Sequence, residues 1–386
     1  MSKILYFIFP TVVSAILIIP VRMLAFKFGL YARENNRTVH HGNIPRIGGV
    51  AIFLAFMGCS LFLLKDDLAT FKGLLIGAAI IFLFGFLDDA FDLKPILKVV
   101  GQFLAATAVI FIGKVALTTI NLPFGIVLDF DILSYIVTYL WIIGITNAVN
   151  LIDGLDGLAG GFSIIVLLTI CLLGNQVDQT TMIPLCLILA GSTMGFLFYN
   201  FHPAKIFMGD CGSQLLGCMI ASISLSGFKG TTFITLFIPI LLLFIPISDT
   251  FLAIIRRKLK GQKISSPDKG HLHHMLMNNM RLGQVGAVLV IYFVTALFGF
   301  TAYLYVINQS VALCVLVIIM VLFDMFIEYT GMISPKYRPI LNLLDKFRAQ
   351  FNSEKVYSEE EEQAEEELAE VHQEEAETEN AKTETE

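Results

Sequence analysis

The sequence predicts an all-α, polytopic integral membrane protein with about eleven transmembrane helices. Of its 386 residues, 56% are hydrophobic, and the mean hydropathy is +0.76. Apolar stretches of about 18 or more residues recur along nearly the whole chain, as membrane-spanning helices require. Runs such as 74–87 and 288–300 lack the period-two alternation typical of membrane barrel strands. The composition therefore excludes an ordinary soluble domain, and the pattern favours helices.

The apolar segments are spaced so that each can form one membrane crossing. The first, 4–24, follows Lys3 as a secretory signal would, but no small-residue cleavage site follows it, so we interpret it as a helix. Each segment is close to the ~20 residues that a crossing needs. The other predicted spans are 48–64, 70–87, 94–112, 132–146, 158–174, 180–198, 212–227, 231–250, 285–306 and 309–327.

The basic residues predict the orientation of these spans. If successive loops alternate between the two sides, one side carries only Lys3, Lys65, Lys72, Lys114 and Lys229. The other side is cytoplasmic by the positive-inside rule, with an external N-terminus and a cytoplasmic C-terminus. It carries Lys27, Arg33, Arg37, Arg46, Lys94, Lys98, Lys205, Arg256, Arg257, Lys258, Lys260, Lys263, Lys269 and Arg281.

Charge also divides the chain into segments. Residues 353–386 hold 15 glutamates and two lysines, so the net charge of -6 conceals a body with 24 basic and 17 acidic residues. Such a tail is typical of a disordered cytoplasmic extension, although its glutamates and alanines would also permit a helix. We predict a membrane catalytic domain over 1–330, a basic juxtamembrane segment over 331–352 and the acidic tail. The basic body suits membrane lipids and anionic substrates, and nothing indicates nucleic-acid binding.

Two polar motifs follow predicted spans in the first half of the chain. Adjacent carboxylates at Asp88 and Asp89 suit a magnesium site or a general base, although a solvated helix end would look the same. Further along, Asn147, Asn150, Asp153 and Asp156 recur every three residues, which on a helix or turn would direct several oxygens to one side. Four oxygen-bearing side chains in ten residues favour a site over a plain connection.

Three further polar motifs lie in later loops. Asp210 directly precedes a predicted helix, where it could act as an N-cap, a metal ligand or both. Asp249 lies near the end of the span 231–250. The loop 251–282 carries a basic cluster and three histidines that could bind zinc. The six cysteines, which lie mostly within spans, offer no partner, so phosphate recognition or positioning of a leaving group is favoured. The remaining candidates are Asn200, Lys205, Phe207, His271, His273 and His274, with Arg46 in an earlier glycine-containing loop.

All of these motifs fall on the predicted cytoplasmic side, although the charge count did not require it. Carboxylates that can hold Mg²⁺ and cations that can bind phosphates, together at a membrane surface, suggest phosphoryl transfer onto or from a lipid. A transporter is the alternative from another class. Transporters place their sites near the midplane, often between repeated halves, whereas these motifs cluster at one interface and no internal repeat is present.

Taken together, the motifs resemble the polyprenyl-phosphate N-acetylhexosamine-1-phosphate transferase family. The resemblance runs in order from Arg37 to His274, and it includes the glycine-rich continuation of the motif at 147–161. The matching segments are Arg37-x-x-His40, Pro45-Arg46-x-Gly48-Gly49, Asp88-Asp89, Asn147 to Gly161, Asn200 to Ser213, Pro246 to Thr250 and Ser266 to His274.

The resemblance implies transfer of a sugar 1-phosphate from a UDP-N-acetylhexosamine to undecaprenyl phosphate, with release of UMP and a requirement for Mg²⁺, or for Mn²⁺ as the alternative ion. It implies Asp210 as the principal metal ligand, with Asn150 beside it. It also implies Asp88 as the base, supported by Asp89. Further expected catalytic residues are Asp153, Asp156 and His271, and expected substrate-binding residues are Arg46, Asn147, Asn150, Asn200, Lys205, Phe207, Asp249, His273 and His274.

The last cytoplasmic loop bears on the donor sugar. The family branch that transfers phospho-MurNAc-pentapeptide usually carries three consecutive histidines there, whereas His271-Leu-His273-His274 is similar to the GlcNAc-1-phosphate branch. We therefore expect UDP-GlcNAc, with the pentapeptide substrate as the alternative. Cys211 stands where the family more often has threonine or serine, and we expect it to change local hydrogen bonding without loss of activity. Apolar helix faces are compatible with a homodimer.

Overall fold

The computed structural model describes residues 3–31, 43–117, 119–121, 127–129, 131–227, 234–262, 270–333 and 338–350. It divides into two compact units, Met1–Ile319 and Met320–Glu386. The acidic tail, Arg37, His40 and the segment Ser266 to Lys269 lie outside the described residues, so the predictions made for them stay predictions.

The described chain is almost entirely helical, which confirms the predicted fold class. Two three-residue strands, β1 (Thr119–Asn121) and β2 (Val127–Asp129), form a short antiparallel pair that we did not predict. The helices are α1 (Lys3–Phe28), α2 (Gly49–Leu63), α3 (Leu68–Phe91), α4 (Pro95–Thr107, continued by a π-helical turn Ala108–Ile112), α5 (Leu133–Ile152), α6 (Leu158–Gln176), α7 (Ile183–Asn200), α8 (Asp210–Gly227), α9 (Ile234–Leu242), α10 (Phe244–Leu259), α11 (Leu272–Asn278), α12 (Gln284–Ile307), α13 (Gln309–Thr330) and α14 (339–350).

The predicted spans fall on helices, with one of them broken in two. Eight of the described helices are long and apolar enough to cross a membrane, counting α4 with its π-helical turn. Helix α2 is a shorter apolar helix of 15 residues. The predicted span 231–250 is divided at Leu243 into α9 and α10, because Pro246 cannot donate to the carbonyl of Leu242 and its ring crowds that carbonyl. The number of crossings and their orientation stay predictions.

Two helices extend beyond the predicted span ends. Helix α3 continues to Phe91, so Asp88 and Asp89 lie in its last turn. Helix α5 continues to Ile152, so Asn147 and Asn150 are helical as well. Because successive residues on a helix are rotated by about 100°, the extension determines which of these polar side chains point the same way.

Helix α8 is buried along almost its whole length and packs against α3, α5 and α6. Its small residues allow close approach by neighbouring backbones, as is common between membrane helices. The contact with α3 illustrates this, because a Cβ added at Gly85 would lie 2.6 Å from the Cα of Cys211. This contact brings the last turn of α3 beside the first turn of α8.

Candidate active site

A cavity of about 560 Å³ opens where α3, α5 and α7 end and α8 begins. The cavity brings together side chains from three of the five polar motifs, which lie far apart in the sequence, and it adds Arg46, Asn200 and Phe207. Polar and charged side chains provide much of its wall. Its lining comprises Gly29, Leu30, Tyr31, Arg46, Asp89, Ala90, Asp92, Asn150, Asp153, Gly154, Leu155, Asp156, Asn200, Phe207, Met208, Gly209 and Asp210.

Asp89 joins α3 to the first turn of α8. Its Oδ1 accepts a hydrogen bond from the backbone N–H of Asp210 at 2.8 Å, and its Oδ2 accepts one from the N–H of Cys211 at 2.9 Å. A carboxylate is a favourable acceptor at a helix N-terminus, where these N–H groups have no partner within the helix. The side chain is fully buried, so Asp89 holds the start of α8 in position.

The carboxylate of Asp210 contacts three side chains. Its Oδ1 accepts from Arg46 Nη2 at 3.2 Å, and its Oδ2 accepts from Lys98 Nζ at 2.9 Å and from Gln214 Nε2 at 3.2 Å. The two cationic side chains are partly exposed, 42% for Arg46 and 30% for Lys98, whereas that of Asp210 is 11% exposed. Both cations therefore have access to solvent, whereas the carboxylate is largely buried.

Asp88 lies beside this group but does not line the cavity. Its Oδ1 accepts from the N–H of Leu93 at 2.9 Å, and its Oδ2 is 2.5 Å from Lys98 Nζ. Lys98 therefore bridges Asp88 and Asp210. A base role for Asp88 requires Lys98 to leave its carboxylate first.

A chain of buried amides reaches Asp210 from inside the protein. Asn147 and Gln102 pair through two reciprocal hydrogen bonds of 2.9 and 3.1 Å. Gln102 also donates to Gln214 Oε1 at 3.3 Å, and Gln214 in turn donates to Asp210. Asn147, which we expected to bind substrate, belongs to this chain and does not line the cavity. It lies almost one turn farther from the end of α5 than Asn150, where it pairs with Gln102.

Asn150 and Asp153 form the cavity wall contributed by the end of α5. Asn150 Oδ1 accepts from Ser213 Oγ at 2.5 Å, which ties α5 to α8. Asp153 directly follows α5. Burial raises the pKa of Asp153 to about 7, and the nearby carboxylate of Asp210 adds to the effect. The pKa of this carboxyl group therefore lies near neutral pH, and shifted pKa values of this kind are common at functional sites.

Asp156 and Asn200 shape the loop between α7 and α8. Asp156 Oδ2 contacts His202 Nδ1 at 2.9 Å and accepts from the N–H of Ala204 at 3.1 Å. Asn200 accepts from the N–H of Gly157 at 3.0 Å and donates to the carbonyl of Ile206 at 2.9 Å. These bonds fix the backbone just before Phe207, a half-buried aromatic ring in the cavity wall.

The three histidines lie at the start of α11, and Asp249 of α10 contacts the first of them. Asp249 Oδ2 lies 2.9 Å from His271 Nδ1, and its Oδ1 accepts from the N–H of Leu272 at 2.9 Å. Asp249 therefore fixes His271 at the start of α11. The ring of His273 packs on the cavity wall, because a Cβ added at Gly154 would lie 2.5 Å from its Nε2. Burial lowers the pKa of His273 to about 3, so the ring is neutral at physiological pH.

The structure thus brings most of the predicted site residues to one cavity or directly behind its wall. Lys205 is exposed and does not line the cavity, and His274 packs on the ring of His273 at 4.3 Å between centroids. Four residues that contact the site, Lys98, Gln102, Gln214 and His202, were not among the predicted site residues. Polar side chains within apolar helices were the available signal for Gln102 and Gln214, because such residues are costly in a membrane.

The donor groups suit a divalent cation with hard-oxygen preference. Mg²⁺ is commonly held by one or two carboxylates together with substrate phosphates, and Asp210 and Asn150 present oxygens to one cavity beside Asp153. Within the described residues, no group of three or more His, Cys, Asp or Glu side chains is placed to hold a metal ion. Oxygen atoms of a bound diphosphate would have to complete the coordination.

The chain is similar in sequence to a known protein family and to several of its members. Residues 71–228 match glycosyl transferase family 4. The chain is 39% identical over 337 residues to a probable undecaprenyl-phosphate N-acetylglucosaminyl 1-phosphate transferase of Bacillus subtilis, covering 85% of this chain and 92% of that protein.

Two further relatives are more distant. A decaprenyl-phosphate N-acetylglucosaminephosphotransferase of Mycobacterium tuberculosis is 37% identical over 73% of this chain and 77% of its own length. An undecaprenyl-phosphate alpha-N-acetylglucosaminyl 1-phosphate transferase of Salmonella typhi is 30% identical over 68% of this chain and 73% of its own length. The family match over residues 71–228 includes the cavity residues from Asp89 to Asp210.

Proposed function

Because the chain belongs to glycosyl transferase family 4, we propose that it transfers GlcNAc 1-phosphate from UDP-GlcNAc to undecaprenyl phosphate. The products are undecaprenyl-diphospho-GlcNAc and UMP, so the reaction makes a lipid-linked sugar for a cell-wall or other surface polymer. The main support is the cavity in which Arg46, Asn150, Asp153 and Asp210 converge at one end of the helices. The names of the relatives provide the sugar and the class of acceptor.

We propose a direct displacement at phosphorus. A phosphate oxygen of the lipid attacks the β-phosphorus of UDP-GlcNAc, and the bond from that phosphorus to the oxygen bridging it to the α-phosphate breaks. UMP leaves with the electron pair of that bond. Such a reaction depends mainly on positioning and on stabilisation of negative charge. Arg46, which is partly exposed in the cavity, would bind the diphosphate.

Asp88 would accept a proton from the lipid phosphate once Lys98 has moved from its carboxylate. When Lys98 leaves Asp88 and Asp210 for the anionic substrates, both carboxylates lose their shared cation. Substrate binding thus exposes the base and frees a metal ligand in one movement. Asp89 would support this arrangement by holding α8, and it would not exchange protons itself.

Asp210 would hold Mg²⁺, or Mn²⁺ as the alternative, with Asn150 as the second protein ligand. The ion would neutralise charge on the diphosphate. Phe207 would stack under uracil, and Asp156 and Asn200 would position it through the loop bonds described above. His271, His273 and His274 would border the sugar and diphosphate, with Asp249 holding His271 in place.

We also propose that the protein resides in the cytoplasmic membrane with this cavity on its cytoplasmic face, where UDP-sugars are available. The basic residues of the predicted cytoplasmic loops support this orientation. A homodimer is compatible with the exposed apolar helix faces.

The test uses purified protein in detergent with Mg²⁺, undecaprenyl phosphate and radiolabelled UDP-GlcNAc, and it measures label in the lipid phase together with UMP. We expect labelled lipid from the wild type, none from Asp210→Ala, and wild-type activity from Asp66→Ala, which removes an exposed carboxylate at the other end of α3. Chelation should stop transfer, and added Mg²⁺ should restore it.

Two outcomes would contradict the proposal. Transfer from UDP-MurNAc-pentapeptide but not from UDP-GlcNAc would replace the donor with that of the other family branch. No labelled lipid from any UDP-sugar would remove the transferase function and favour a transporter. Full turnover by Asp88→Asn would remove only the proposed base.

A further inference from the structure

The short helix α14 is attached to the last apolar helix by a buried carboxylate. Glu328, which is 2% exposed in the last turn of α13, accepts hydrogen bonds from the N–H groups of Ile340 and Leu341, each at 2.8 Å. One oxygen of the carboxylate serves each N–H. A carboxylate is a stabilising partner for a helix N-terminus. The first turn of α14 therefore lies at the end of α13.

The side chains of α14 are separated into an apolar and a polar side. At about 100° per residue, the apolar side chains at positions 340, 341, 343, 344 and 347 share an arc of roughly 160°. Three of them are well exposed, Leu343 at 54%, Leu344 at 44% and Phe347 at 61%. On the same count, Arg348 lies just inside one border of this arc, and Asp345 lies about 40° beyond that border. Lys346 lies about 60° beyond the other border, and Asn342 lies on the opposite side.

The length and charge of α14 exclude a further membrane crossing. Its 12 residues span about 18 Å, well short of the ~30 Å of a hydrocarbon core. A helix of this kind, which begins where a membrane span ends, is adjacent to the lipid headgroups. Apolar side chains on one face with basic residues at the borders are typical of helices that lie in the membrane interface and favour anionic lipids.

We propose that α14 is an interfacial helix that lies on the membrane surface, with Leu343, Leu344 and Phe347 inserted among the acyl chains. Lys346 and Arg348 contact anionic headgroups. Glu328 determines where the helix starts and so holds it at the depth of the headgroups. The partner of this apolar face is thus the lipid bilayer. The inference is independent of the proposed transferase activity.

The test places one fluorescent label at a time on the full-length protein in lipid vesicles. Cys314, the only exposed cysteine among the described residues, is first replaced by serine. Single cysteines are then introduced as Leu343→Cys, Phe347→Cys and, as the matched control on the polar side, Asn342→Cys. Each is labelled with an environment-sensitive dye and exposed to lipids carrying a quencher just below the headgroups, or to iodide in the water.

We expect the labels at positions 343 and 347 to be quenched by the lipid several times more strongly than the label at 342, with the reverse order for iodide. We call the difference in lipid quenching between positions 343 and 347 and position 342 the contrast. Vesicles that contain anionic phosphatidylglycerol should give a larger contrast than vesicles of pure phosphatidylcholine. Glu328→Gln should reduce the contrast, because only one of the two N–H groups keeps its acceptor.

Equal lipid quenching at the three positions would overturn the proposal. A label at 343 that resists both quenchers and forms cross-links between two copies would also overturn it, because the apolar face would then belong to a protein interface. A contrast that is the same in the two vesicle types would remove the role of Lys346 and Arg348 in headgroup binding.

Discussion

Replacement of Asp89 by asparagine tests whether this residue is a structural acceptor for α8 or a participant in the chemistry. The asparagine side chain keeps one oxygen, which can accept from one of the two N–H groups. Its NH₂ group takes the place of the second oxygen and faces the remaining N–H group. One buried N–H of Asp210 or Cys211 then loses its acceptor, which costs about 1–3 kcal/mol. Loss of the negative charge at the start of α8 destabilises the protein by a further ~1–2 kcal/mol. Together the two losses destabilise the protein by about 2–5 kcal/mol.

The assay is thermal unfolding of the purified variant in detergent, followed in parallel with transferase activity. A loss of this size should lower the Tm by several degrees, and activity should fall with it because Asp210 moves with the first turn of α8. Asp92→Asn is the matched control. It makes the same chemical change three residues away at an exposed position, whose left-handed backbone asparagine tolerates.

Asp89 is not a structural acceptor for α8 if Asp89→Asn unfolds within about a degree of wild type and yet has lost its activity. Asp89 would then act in the chemistry and not through the position of α8. An equal drop in Tm for Asp92→Asn would show that any loss of charge at this end of α3 destabilises the protein.

Three further variants test other contacts of the site. Gln214→Leu removes the amide that donates to Asp210. We expect turnover to fall about tenfold and the Mg²⁺ concentration that gives half-maximal activity to rise. The control, Ser222→Ala further along α8, should behave as wild type. Lys98→Met leaves two carboxylates without their shared cation, so activity should fall about 100-fold, with partial recovery in Lys98→Arg. Burial keeps His273 neutral until its pKa of about 3, whereas the unfolded chain protonates it below about pH 6.5. Its contribution to stability is therefore present above about pH 6.5 and is lost as the pH falls. Between about pH 6.5 and 4.5, the Tm of His273→Gln should therefore fall by less than the Tm of the wild type.

Much of the fold could be predicted because the membrane imposes simple requirements. A span must be apolar, about 20 residues long and internally hydrogen-bonded, so the apolar runs predicted the helices. The break at Leu243 escaped prediction, although Pro239 and Pro246 were available as signals. The paired strands β1 and β2 escaped it as well, because three-residue segments carry no periodic pattern.

The candidate site was predictable as a set of motifs and not as a set of contacts. Polar clusters between apolar spans indicated which residues belong to it, and the structure brings them together. The three-residue spacing could not show that Asn147 faces Gln102 while Asn150 faces the cavity, because that depends on how far α5 continues. Nor could it reveal that Lys98 lies between Asp88 and Asp210.

The sequence by itself determined that this is a helical membrane protein and predicted many residues of its polar site, because charged side chains near lipid are costly and by default functional. Only the tertiary structure decided the partners of each oxygen. Asp88 and Asp89 are neighbours of the same chemical type, yet one pairs with Lys98 and the other caps α8. Their difference arises from the direction in which α3 turns each side chain and from the helix that packs against it there, and neither is written in the local sequence.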